Sequence, residues 1–199
     1  MKIIMIFDQI QAGLGSKDDA MVPLTGKKEP VGPAVMMEPF LKEVDGHVVA
    51  CLCCGSGTYL ADPDEVSRKL CAMVNKLNPD VVICGPAFNY ADYAAMSARV
   101  ACDVNSTTKS RAFAAMSVEN ADTIQAYKDR VAIVRTPKKG GSGLNDALHN
   151  ICTVSYTHLG APFVCHRHGG RRDHRQRLRL GRGDGGLRGG QPVHSHLRP

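Results

Sequence analysis

The sequence predicts an α/β protein built on a doubly wound, mostly parallel sheet. Short apolar, β-branched runs alternate with helical segments about every 30 residues, which is the βαβ pattern. Each run ends in a turn rich in Gly, Pro or Asn. The alternation and the ordinary globular composition both stop near residue 154, so the fold is expected in residues 1–153 and a separate tail in 154–199.

Residues 2–7 form the first strand, an apolar run of the kind buried on both faces. Residues 11–33 read as a long loop, and loops of that length in a compact domain usually carry function. Residues 34–43 predict a short helix whose first half is limited by Pro39. Residues 47–53 predict the second strand, followed by a turn at Cys54-Gly55-Ser56-Gly57.

Asp62 is a good N-cap, with Pro63 in the first turn and Asp64 and Glu65 at the positive end of the dipole. Val66, Leu70, Met73, Val74 and Leu77 continue at helical spacing until Asn78-Pro79 stops the helix. Residues 80–84 predict a third buried strand, with a turn at 85–89. An Ala-rich helix follows at 93–103, then a strand at 111–116, a helix at 119–128 and a strand at 130–135. A Gly-rich turn at 140–143 leads into a last helix at 144–151. Right-handed crossovers turn this order into a flavodoxin/Rossmann-like sheet. Ligands in such sheets bind beyond the carboxyl ends of the strands, here 8–15, 53–59, 85–90, 117–120 and 136–143.

The chain has 199 residues and a formal charge of +6. That average conceals a division. Residues 1–154 carry 16 Lys+Arg against 17 Asp+Glu, a charge of −1. Residues 155–199 carry nine Arg, no Lys and two Asp, a charge of +7, with six of the eight His. The basic excess therefore says nothing about the α/β part, and a near-neutral core argues against a nucleic-acid partner. The tail reads either as an Arg/Gly-rich arm that would bind RNA through phosphates or as out-of-frame translation of a GC-rich gene. Val154–Leu159 resembles peptides encoded by sequencing-adapter DNA, which favours the second reading. Either way the tail is expected to be disordered and to contribute no function.

No apolar stretch reaches membrane-spanning length. The apolar start ends at Asp8, too soon for a signal segment, so the expected location is cytoplasmic with no membrane partner. The eight Cys are then reduced thiols, and their uneven spacing shows no disulfide framework. Cys51-x-Cys53-Cys54 is the densest cluster. Cys51 and Cys53 should share a strand face, and Cys84 could lie nearby if the two strands are adjacent. The cluster reads first as small buried hydrophobes, then as a redox or substrate contact, and last as a metal site, since zinc needs four ligands. No metal is expected.

Gly13-x-Gly15, Gly55-x-Gly57 and Gly140-Gly141-x-Gly143 are turns after strands. Each could cradle an anion at a helix start or be only a tight turn, and none is a dinucleotide fingerprint or P-loop. Gly85-Pro86-Ala87-Phe88-Asn89 is more specific. Asn89 is expected to cap the Ala-rich helix, with ligand binding possible in addition. His47 falls at the opposite sheet edge, and His149 near a helix end where a cation suits the dipole. No Ser/His/Asp or paired-carboxylate constellation can be built from the spacing.

Four stretches together carry a family resemblance. They are residues 9–15 after the first strand, Glu29-Pro30-Val31-Gly32-Pro33 in the long loop, Cys54-Gly55 with Tyr59, and Cys84-Gly85-Pro86-Ala87-Phe88-Asn89. Over residues 1–153 they resemble the amino-terminal half of the selenoprotein B subunit of glycine/sarcosine/betaine reductase. The resemblance implies an anaerobic, cytoplasmic system that reductively deaminates glycine or an N-methylated glycine. It implies a partner subunit that holds this small amino-acid substrate through a pyruvoyl group. A selenocysteine of the B subunit then attacks the substrate carbon, and the carboxymethyl group passes by way of selenoprotein A toward acetyl phosphate.

The family's selenocysteine segment lies in its carboxy-terminal half, and no position here matches it. No catalytic residue is therefore carried over, and Cys53 and Cys54 are not given that role. The chain is expected to be a scaffold-and-pocket fragment, inactive alone and with no cofactor of its own. Its pocket candidates are Gly13, Gly15, Cys53, Cys54, Gly55, Tyr59, Gly85, Pro86 and Asn89. The competing reading is a flavodoxin-like binding module for a phosphorylated small ligand.

Overall fold

The computed structural model describes residues 1–138 and 143–158. Most of the Gly-rich turn at 140–143 and residues 159–199 of the expected tail lie outside the described residues, whereas residues 154–158, expected to open the disordered tail, are helical. Twelve elements follow in order: β1 (Lys2–Phe7), β2 (Thr25–Lys27), α1 (Pro33–Glu43), β3 (His47–Cys53), α2 (Ser56–Ala61), α3 (Pro63–Leu77), β4 (Val81–Ala87), α4 (Ala91–Thr107), β5 (Arg111–Ser117), α5 (Ala121–Tyr127), β6 (Ile133–Thr136) and α6 (Leu144–His158).

The sheet order is β2-β3-β1-β4-β5-β6. All pairings are parallel except that of β2 with β3, which is antiparallel. The five parallel strands thus stand in flavodoxin-like order. The chain first steps from β1 to β3 on one side, then returns past β1 to β4 on the other. That reversal opens a crevice at the carboxyl ends of β1 and β4.

Both faces of the sheet are covered, which is why its strands are continuous apolar runs. One face packs Ile4, Ile6, Val82 and Cys84 against α3 and α4, through Leu70, Val74, Met96 and Val100. The other packs Ile3, Met5, Ile83 and Phe113 against α1 and α6, through Met37, Leu41, Leu148 and Ile151. The helix start at Asp62 is as expected, since its side chain accepts from the Glu65 N–H at 3.1 Å. Asn78 closes the same helix in the left-handed region at φ 46°.

Several local details differ from the sequence expectation. The loop at 11–33 contains β2, whose three residues form an edge strand only because β3 is there to pair with. The turn at 54–57 is already the start of the short helix α2. The strand expected to end at Cys84 continues through Gly85-Pro86, joined by a cis peptide bond, to Ala87. Pro39 lies exposed inside α1, which continues to Glu43. The last helix runs past Ile151 to His158, with Ser155 fully buried and bonded to the Ile151 carbonyl at 2.8 Å. His149 therefore sits within α6, where it meets Glu43 at 3.4 Å and the edge of Phe40.

Candidate functional site

The switch-point crevice is a cleft of about 280 Å³. The loop leaving β1 supplies Asp8, Gln9, Ile10 and Lys17. The start of α2 supplies Ser56, Gly57 and Leu60, and residues 89–93 at the start of α4 close the third side. A second hollow of about 480 Å³ shares Ile10, Lys17, Asn89 and Tyr90 and extends to Phe88 and Lys138. Lys138 is paired with Glu119.

Polar groups hold these walls in place. Asp8 is 1 % exposed, and its Oδ1 accepts the Gln11 N–H at 2.7 Å. Burial raises the Asp8 carboxyl above its usual range, and the N–H of Gln11 only partly offsets this. Gln9, equally buried, accepts the Ser56 N–H at 3.0 Å and donates to the Ser16 carbonyl at 3.3 Å. Tyr93 donates its hydroxyl to the Ile6 carbonyl at 2.9 Å, so its buried ring is fixed against β1. Asn120 donates to the Phe88 carbonyl at 2.6 Å and sets the turn that presents Asn89.

Of the candidate residues, Asn89 lines both hollows and is exposed. It does not cap α4: Tyr90 occupies the N-cap position, and no side chain bonds there. None of the other candidates lines either hollow. Gly13 is exposed at φ 65°, in the turn beyond Ile10. Gly15 packs against Asp19, leaving no room for a Cβ. Gly85 and Pro86 are buried in β4, where a Cβ on Gly85 would strike the Ala115 carbonyl. Tyr59 is buried on the α3/α4 face, where its hydroxyl pKa is pushed up to about 12 by burial.

Gly55-x-Gly57 is not an open anion cradle. The Gly55 N–H bonds Val22 O at 2.8 Å, the Ser56 N–H bonds Gln9, and the Gly57 N–H bonds Ala20 O at 2.8 Å. A Cβ on Gly55 would collide with the Ala20 carbonyl, so this glycine exists for close backbone approach. The Gly13 and Leu14 N–H groups are likewise bonded, to Ile10 O at 3.1 Å and Gln9 O at 2.9 Å.

The cysteines divide between the two faces of the sheet. Cys51 and Cys53 share the α1/α6 face, whereas Cys54 and Cys84 lie on the other. β1 stands between β3 and β4, so the expected adjacency of their strands does not occur. The seven cysteines among the described residues are all buried, and none of them is joined in a disulfide. Burial pushes the Cys53 thiol up to about 12 and Cys54 to about 11, so neither is a thiolate at neutral pH. Among the described residues no group of three or more His, Cys, Asp or Glu could hold a metal ion. No described helix is long and apolar enough to cross a membrane.

Sequence reasoning placed the binding region at the strand ends but did not single out Asp8, Gln9, Lys17 or Tyr90. Asp8 carried a readable signal, as the one charged residue ending the apolar β1 run. The others become neighbours only when β1, α2 and α4 are packed.

Fold and cleft together define a doubly wound α/β protein with its candidate site at the topological switch point. Residues 1–163 match the family described as glycine/sarcosine/betaine reductase selenoprotein B (GRDB), and the chain belongs to that family. The match runs past the expected boundary at 153. Among curated relatives, the glycine reductase complex component B subunit gamma of Symbiobacterium thermophilum is 28 % identical over 142 residues, covering 71 % of this chain and 33 % of the relative. The sarcosine reductase complex component B subunit beta of Peptoclostridium acidaminophilum is 26 % identical over 136 residues, 68 % of this chain and 31 % of the relative. The chain thus spans about a third of the length of these relatives. No solved structure matches.

Proposed function

We propose that this chain forms the amino-terminal α/β part of the substrate-reducing B component of a glycine/sarcosine/betaine reductase system. The reaction would be reductive deamination of glycine or an N-methylated glycine, feeding acetyl phosphate formation in the cytoplasm of an anaerobe. The family match over residues 1–163 carries this reading. The relatives' names, each a complex component, support partner subunits. The partners proposed are a pyruvoyl-containing subunit and selenoprotein A.

The described thiols do not fit the role of the family's selenium nucleophile. They are buried, and burial raises Cys51, Cys53, Cys54, Cys71, Cys84 and Cys152 alike. No step is assigned to them. The described part supplies a rigid frame and a cleft, and the chain alone is proposed to be inactive. The bonded N–H groups at Gly55 and Gly57, beside a buried carboxylate, disfavour the alternative of a phosphate-binding module.

The test is capture of the pyruvoyl-containing subunit of a reductase system by the purified chain, together with an acetyl phosphate assay. Capture without turnover is expected. Failure to capture that subunit, with saturable binding of a flavin or nucleotide, would overturn the reading.

A further inference from the structure

The large apolar side chains left in solvent are not spread evenly over the surface. Among the described residues seven are exposed, and five of them stand at the carboxyl edge of the sheet. Met21 is 67 % exposed in the loop leaving β1. Its Sδ lies 2.9 Å from where a Cβ on Gly57, at the start of α2, would stand. Leu60, 52 % exposed, follows one turn later on α2 and lines the cleft. Val118, 53 % exposed, is the first residue beyond β5.

Val35 and Met36 complete the group in the first turn of α1. That turn is held against the loop leaving β1, since a Cβ on Gly32 would collide with the Gln11 carbonyl. Only Leu77, at the end of α3, and Tyr156, near the end of α6, fall at the opposite edge. Single exposed apolar residues are ordinary, but a group gathered around one edge marks an interaction surface.

The occupant is indicated by length. About two-thirds of each curated relative lies outside its match to this chain, enough for a further domain. Both faces of the sheet are already covered by helices, so that extra length finds its exposed apolar surface at the carboxyl edge. Aliphatic side chains of this size suit a permanent contact, whereas contacts that form and part are more polar.

We propose that the carboxyl edge, through Met21, Leu60, Val118 and the first turn of α1, is the docking face for the remaining two-thirds of the family's chain. The switch-point cleft, with Leu60 in its lining, then lies between the two parts, where ligand sites are commonly formed. The inference rests on family membership and not on the reaction proposed for the chain.

The test is hydroxyl-radical footprinting of the full chain and of its full-length Symbiobacterium thermophilum relative, each scaled to its own unfolded protein. In this chain Met21, Leu60 and Val118 are expected to label as freely as Leu77. In the relative, the positions aligned with those three are expected to label about fivefold more slowly, and the position aligned with Leu77 to be unchanged. Amide hydrogen exchange of the same segments supplies the comparison wherever the relative carries a side chain that reacts poorly.

Equal labelling of the two edges in the relative would overturn the proposal. So would protection already present in this chain and rising with its concentration, which marks a second copy as the occupant. Protection of the relative that appears only when a pyruvoyl-containing subunit is added would also overturn it, by assigning the face to a separate partner. None of these outcomes depends on whether this chain captures that subunit, so the proposed function stands or falls separately.

Discussion

Ser56 donates its backbone N–H to the Gln9 side-chain oxygen at 3.0 Å, across 47 residues of chain. The bond joins the loop leaving β1 to the first residue of α2, two of the three walls of the cleft. It makes a buried glutamine the hinge pin of the site. Gln9→Ala is expected to leave the Ser56 N–H without its acceptor and to destabilise the fold by about 1–2 kcal/mol. Urea unfolding of both proteins measures this, and an unchanged midpoint would show that water replaces the side chain at no cost.

The glycines of the two turns predict different outcomes. Gly55 faces the Ala20 carbonyl and the Val22 nitrogen, with the latter 2.6 Å from where a Cβ would stand. Gly55→Ala must therefore move backbone and is expected to cost about 2 kcal/mol or more. Gly13 has open space around it but sits at φ 65°, so Gly13→Ala meets only left-handed strain of about 1 kcal/mol. Thermal unfolding of the two variants ranks them, and Gly13→Ala proving the more harmful would contradict the packing at Ala20.

Asp8 sets a pH dependence of definite sign. Its folded pKa lies above the usual 3.8 because burial disfavours the charge. The native state then holds the proton more tightly than the unfolded chain. The Asp8 contribution is most favourable below 3.8 and declines as pH rises through the folded pKa. Asp8→Asn is expected to raise the melting temperature at pH 7 and to lose that advantage toward pH 4. A variant less stable at pH 7 than at pH 4, each relative to the parent, would reverse the sign.

The buried thiols predict slow chemistry. Cys53 and Cys54 are held near 12 and 11 by burial, so their thiolate fraction at pH 8 is small and access is closed. In a Cys165→Ser background, a disulfide reagent such as dithionitrobenzoate is expected to label none of the seven described cysteines before the fold opens, and all of them in urea. Rapid labelling of the folded protein would place one of these thiols at the surface.

The amino-acid sequence by itself determined the local pieces. β1 and β3 have the bounds that their apolar runs predict, because a strand buried on both faces must be apolar throughout. α3 begins at Asp62-Pro63 because cap chemistry acts within one turn. The family resemblance was also legible, since it rests on contiguous motifs. Only the tertiary structure decided that β1 separates β3 from β4, that β2 finds a partner, and that β4 continues through Gly85-Pro86. It also decided that Asp8, Lys17, Ser56 and Tyr90 face one cleft. Hydrophobic period and capping are properties of neighbours along the chain. The cleft comes from the order of strands in the sheet, and that order depends on contacts between residues far apart in sequence, which no local pattern encodes.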